Sequence, residues 1–216
     1  MIQSLDDLIL FLRGYHRYDA PADSSLIPPE FPPQLDTFYS ELSGLIEAPP
    51  SPGHRQRTPF SSQDSIHRME DIRYAEEMVE FSSENQGNWT CRCPFFEDDP
   101  PVYSNAEETW GDRPGFQIVC ESLTHFLTTL ALQETVMGSS NLRAIHENEA
   151  AEKYISGLPP LWLDGIYVFG EPSHQFYWLE ELKMIAMNYS GNGLWIGSSN
   201  EGIFEELPCD LKFEAM

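Results

Sequence analysis

The sequence predicts an α+β fold, a single domain with a central, mainly antiparallel sheet and helices packed against it. Two observations predict its elements. Short strand-like runs separated by turn residues fill the middle and the end of the chain, and apolar residues at helical spacing precede and interrupt them. A third shows that it has a core: 41% of the 216 residues are hydrophobic, including 13 Phe, 9 Tyr and 5 Trp.

Ser4 is a good N-cap, with Asp6 and Asp7 on the positive end of the helix it opens. Leu5, Leu8, Ile9 and Leu12 give that helix its stripe, and Gly14 is a natural stop. Residues 1–27 thus form an N-terminal helix and lead-in. Nine of the 17 prolines crowd into residues 21–59. Pro33 is suited to start a helix, whose stripe is Leu35, Phe38, Tyr39, Leu42 and Ile46. The Pro-rich stretch 48–59 reads as a surface loop carrying Arg55 and Arg57. Met69 to Ala75 is expected to form a short helical turn.

The centre of the chain is a hairpin. Met78, Val79 and Phe81 lead into Glu84-Asn85-Gln86-Gly87-Asn88, and Trp89, Cys91 and Cys93 then recur every second residue. Asp98-Asp99-Pro100-Pro101 turns the chain into a third short strand at Val102-Tyr103, and Phe116 to Cys120 reads as a fourth. Ser122 caps the clearest helix, with Leu123, Phe126, Leu127, Leu130 and Met137 on one face. Asn141 to Ile155 is expected to be a further helix. Strands follow at 165–169, 175–179, 183–188 and 194–197, expected to extend the central sheet. The strands at 78–83, 89–95, 116–120 and 166–169 should share that sheet, with Phe81, Trp89, Ile118, Phe126 and Leu130 buried.

Twelve Lys and Arg face 35 Asp and Glu, a formal charge of −23. Residues 1–108 carry −13 and the remainder −10, so the charge belongs to the whole molecule. Such a field repels nucleic acid and anionic membrane and attracts cationic partners, although acidity also serves solubility alone. The start of the chain lacks the positive lead of a signal peptide, and no apolar run approaches the roughly 20 residues of a membrane helix. The chain is therefore expected in the cytoplasm, where Cys91, Cys93, Cys120 and Cys209 are reduced and the sequons at Asn88 and Asn188 carry no sugar.

No catalytic, cofactor or metal site is legible. Cys91 and Cys93 are one residue closer than the usual zinc pair and have no matching second pair, so packed core thiols are expected. The six histidines never fall at His-x-x-x-His spacing, and neither a phosphate loop nor a nucleophile elbow is present. Adjacent acids such as Glu76-Glu77 and Glu180-Glu181 follow from composition and read as solvated surface. Glu84 stands apart at the hairpin tip, where a carboxylate can cap the turn. Trp110 is the tryptophan outside an apolar run, and an exposed aromatic among acids suits an interface.

The Phe-x-x-Glu-Asn-Gln-Gly turn (81–87) followed by Trp89, then Asp-Pro-Pro-Val-Tyr (99–103), then Glu-Ser-Leu-Thr-His-Phe-Leu (121–127), resembles the SUKH superfamily. These are bacterial immunity proteins of polymorphic toxin systems, related to fungal regulators of cell-wall synthesis. The resemblance runs from about Pro28 to Met137, with a looser continuation, and implies a single SUKH-like domain over 1–216. It implies a non-enzymatic protein that binds and neutralises a cognate toxin, with no catalytic residue at the motif; a basic nuclease would suit the charge. The Pro-rich insertion at 48–59 departs from the family pattern and leaves the subfamily open. A regulatory or scaffolding module is the second class, and an enzyme whose site assembles only in three dimensions the third. The candidate partner-binding residues are Glu97, Asp98 and Asp99 in the acidic turn and Glu107, Glu108 and Trp110 beside it.

Overall fold

A computed structural model describes residues 1–48, 59–145, 153–190, 193–200 and 214–215. Most of the Pro-rich loop, the middle of the helix expected at 141–155, and Cys209 lie outside the described residues.

The two N-terminal helices form where capping and spacing place them. Helix α1 (Leu5–Tyr15) opens on Ser4, whose side chain accepts from the Asp7 backbone N–H at 3.1 Å. It runs one residue past Gly14, and His16 caps its end. Helix α2 (Pro33–Ile46) begins with Pro33 at N1, where the missing N–H costs nothing, and buries Leu35, Phe38, Tyr39, Leu42 and Ile46.

The first sheet is the expected hairpin with its neighbours. Strands β1 (Asp64–Ile66) and β2 (Arg73–Ala75) lie end to end along one edge of β3 (Met78–Glu84). Across β3 the order continues through β4 (Thr90–Pro94) and β5 (Val102–Ser104) to β6 (Gln117–Cys120), with the short helix α3 (Ala106–Trp110) between β5 and β6. Gly87 takes φ 78° at the β3–β4 turn, as a residue without Cβ can. Residues 73–75 are strand rather than helical turn, because Glu76 and Glu77, both at positive φ, fold them back onto β3. Ile118 is half exposed rather than buried, since the β5–β6 register shifts between Val102 and Tyr103 and turns Val119 and Cys120 inward instead.

Helix α4 (Leu123–Met137) is where the expectation was too modest. It is buried almost all round, from Leu123 through Val136, and not on one face only. The strands after it do not extend the first sheet. They form a second antiparallel sheet ordered β12 (Glu214–Ala215), β7 (Asn141–Ile145), β11 (Gly193–Ser198), β10 (Met184–Tyr189), β9 (Pro172–Leu179) and β8 (Pro160–Ile166). Strand β10 pairs antiparallel with β9 on one side and β11 on the other, and this leaves the edges of the first sheet to β1, β2 and β6. The start of the helix expected at 141–155 is strand β7, which completes backbone bonds on the free edge of β11. Tertiary pairing there overrides the helical preference of the local residues.

Both sheets press on α4, and one continuous core includes Phe81 and Cys91 from the first and Phe176 and Ile185 from the second. The approach is close enough to need glycine. A Cβ on Gly197 would meet the Val136 carbonyl at 2.7 Å, and one on Gly165 would meet Thr129 Oγ1 at 3.0 Å. Phe126 links the layers, edge-on to Phe81 at 6.0 Å and stacked on Tyr167 at 5.7 Å. Residues 167–169, expected as strand, instead leave β8 at Ile166 and turn back over the first sheet. Tyr167 meets Trp89 at 5.9 Å, and Phe169 meets Trp110 at 6.0 Å.

Candidate functional site

A cavity of about 350 Å³ opens at the seam between the sheets. Its polar lining comes from Gln63 and Asp64 of the β1 region, Glu84 at the end of β3, and Gln133 of α4. Its aromatic lining is Trp89, Trp110, Tyr167, Phe169, Tyr189 and Trp195. Met137, Val168 and Met187 complete the wall. The volume is at the small end of the usual ligand range, enough for one side chain or a small molecule.

Beneath the cavity runs a buried polar chain. Gln133 Nε2 donates to Asp64 Oδ2 at 2.7 Å and to the Tyr167 hydroxyl at 3.1 Å, so its carbonyl oxygen is the acceptor for His174 Nε2 at 2.9 Å. That places the imidazole proton on Nε2 and leaves Nδ1 to accept from the Ser173 hydroxyl at 2.8 Å. The Tyr167 hydroxyl donates to Asp64 Oδ2 as well. Burial holds His174 neutral, its pKa lowered to about 4. With the ring 1% exposed, it fixes Gln133 in place and is shielded from solvent.

Next along α4, Glu134 is fully buried and accepts from three consecutive backbone N–H groups, Ser62 at 2.6 Å, Gln63 at 3.1 Å and Asp64 at 2.9 Å. One carboxylate thereby fastens the start of β1 to the helix. Burial is the first cause pushing the Asp64 and Glu134 carboxyl groups above the usual carboxylate range. Negative neighbours add to it, Glu84 at Asp64 and Asp64 at Glu134, against the pull of their hydrogen bonds. Among the described residues no ion pair reaches Asp64, Glu84 or Glu134. Three deeply buried acids without a cation depart from the ordinary rule that buried charge is paired.

Glu84 does cap the hairpin turn. Its Oε2 accepts from the backbone N–H groups of Gln86 (3.2 Å) and Asn88 (3.1 Å) and from Asn88 Nδ2 (2.9 Å). Cys91, Cys93 and Cys120 are buried free thiols, their pKa values raised by burial, in keeping with core packing. No three His, Cys, Asp or Glu side chains form a metal-like group among the described residues. No helix among them is long and apolar enough to cross a membrane.

The six candidate contact residues fall in two places. Trp110 is half exposed and lines the cavity, with Glu108 exposed beside it. Glu107 pairs with Arg113 at 3.3 Å. The acidic turn is not part of the cavity lining. Glu97 is exposed there, Asp98 accepts from Gln34 Nε2 at 2.8 Å, and Asp99 accepts from the Ser122 hydroxyl at 2.6 Å and the Thr124 N–H at 2.7 Å. Asp99 therefore closes the N-terminus of α4. Asp64, Gln133, Glu134, Tyr167 and His174 were not legible as a group, since they lie far apart in the chain and meet only when the sheets close on α4. The available signal was Gln133-Glu134, two long polar side chains that follow the apolar run Leu130-Ala131-Leu132 inside the helix. Compared with known proteins, the chain matches no family model, no curated protein and no solved structure.

Proposed function

We propose that this chain is a non-enzymatic binding protein, an immunity protein that engages a cationic toxin domain in the cytoplasm and neutralises it. The observation that carries the reading is electrostatic: a charge of −23 spread over both halves of the chain, with Asp64 and Glu84 in the lining of an aromatic-walled cavity. The resemblance of its motifs to the SUKH superfamily suggests a toxin as that partner, and a nuclease is the natural basic one because it must grip phosphates.

The test is protection. Cells expressing a toxin domain encoded beside this gene should survive when the chain is co-expressed. The purified pair should associate fast at low salt and markedly more slowly as screening shortens the field to about 8 Å at physiological ionic strength. Reversing Glu97, Asp98 and Glu108 together should slow association and weaken protection. Absence of a complex, or an acidic partner, would overturn the proposal.

A further inference from the structure

We propose that the seam cavity is a receptor for one arginine side chain presented by the partner, its guanidinium held between the aromatic wall and the carboxylates of Asp64 and Glu84. The inference rests on the reading of this chain as a binder of a cationic protein and names the group recognised.

Geometry selects the guest. The cavity of about 350 Å³ is too small for a folded element and large enough for one long side chain. Its lining sets Trp89, Trp110, Tyr167 and Tyr189 around two acids, and a cation over an aromatic ring is attracted by the negative face of the π-system. Among the described residues each acid makes its hydrogen bonds through a single oxygen. Asp64 uses Oδ2 toward Gln133 and Tyr167, and Glu84 uses Oε2 toward the hairpin turn. Asp64 Oδ1 and Glu84 Oε1 are left to accept from a guest.

Charge selects it further. Asp64 is 3% and Glu84 9% exposed, and no cation among the described residues pairs with either. An entering cation supplies the missing partner. Guanidinium fits better than ammonium because it is planar, weakly hydrated, stacks on rings and offers several donors in one plane to two acceptors. Glu134 lies deeper, its oxygens held by backbone N–H groups, and does not line the cavity.

The probe is N-acetyl-arginine amide, titrated into the intact protein while the tryptophan indole N–H signals and fluorescence are followed. Saturable binding is expected for the arginine amide, weaker binding for N-acetyl-lysine amide, and none for N-acetyl-glutamine amide. Glu84→Gln and Asp64→Asn should each weaken it about tenfold or more. Trp110→Ala, at a half-exposed position that threatens folding least, should weaken it too, with thermal melts confirming that each variant folds. Equal responses to arginine and glutamine amides, tighter binding of the lysine amide, or arginine binding unchanged in Glu84→Gln and Trp110→Ala would each overturn the site. Protection from a toxin without arginine-amide binding would remove this inference and leave the functional reading intact. Arginine-amide binding without a cationic protein partner would support the site and remove that reading.

Discussion

From Leu123 to Leu130, α4 buries Leu123, Phe126, Leu127 and Leu130 against its neighbours; from Ala131 on, it holds Gln133, Glu134 and Thr135 at the same depth. The first half is closed in every respect. Ser122 and Asp99 satisfy its leading N–H groups, and the hydroxyls of Thr128 and Thr129 return to carbonyls one turn back. The second half is satisfied in hydrogen bonds but not in charge. Glu134 and Asp64 have hydrogen bonds but no cation among the described residues to offset their burial, and burial accordingly raises their pKa values. The contrast therefore separates a half that makes the fold from a half that keeps a polar seam beside a cavity.

The largest effect should fall on the first half. Phe126→Ala removes the ring that joins the two sheets and should lower unfolding free energy by about 3–5 kcal/mol in urea melts. A loss below about 1 kcal/mol would mean that the two layers do not depend on this contact.

The second half should show itself in pH. The folded pKa of His174 is lowered to about 4 from an ordinary 6.5, so the unfolded chain takes up a proton first as pH falls. Its contribution is complete above pH 6.5 and is lost between 6.5 and about 4. A shift of that size corresponds to about 3 kcal/mol at most. Asp64 and Glu134 act in the opposite sense, because their raised folded pKa values make stability fall as pH rises through their range. Comparing wild type with His174→Asn isolates the imidazole, and the stability difference between them should shrink from pH 7 to pH 4.5. Parallel curves would mean that the imidazole titrates in the fold as it does in the unfolded chain.

Glu134→Ala strips the acceptor from three backbone N–H groups and should cost about 2 kcal/mol. Hydrogen exchange should rise at Ser62, Gln63 and Asp64 and stay unchanged in the first turn of α4. Uniform exchange across both would erase the distinction between the two halves.

The same contrast explains what the sequence disclosed. The capped, periodic elements were legible: α1 from Ser4, α2 from Pro33, α4 from Ser122, and the β3–β4 hairpin from its alternation around Gly87. The second sheet was not, because strands joined by tight turns pair among themselves, and nothing local states whether they add to an existing edge. Residues 141–145 were misread since Leu142 and Ala144 suit helix and strand alike, and β11 decided between them. At the site, Trp110 was singled out for its polar surroundings and does line the cavity, and Glu84 was recognised as a cap. Their neighbours Asp64, Tyr167 and Tyr189 reach them only through long-range closure.

The smallest effect should come from the pair Asp98 and Asp99, two adjacent acids that composition cannot tell apart. Asp99 accepts from the Ser122 hydroxyl and the Thr124 N–H, so it serves the positive end of α4 together with the N-cap. Asp99→Ala should cost about 1 kcal/mol, the usual loss for a helix cap. Asp98 is exposed and, among the described residues, accepts from the Gln34 side-chain amide at 2.8 Å. Asp98→Ala should stay within about 0.5 kcal/mol of wild type. Association with a cationic partner should respond in both variants, because each removes one negative charge from the same turn. Stability should respond in Asp99→Ala alone, and thermal melts of the two variants side by side read the difference. Equal melting temperatures would mean that Ser122 caps α4 unaided, and the first half of the helix would then be closed by its own sequence, with no help from the acidic turn.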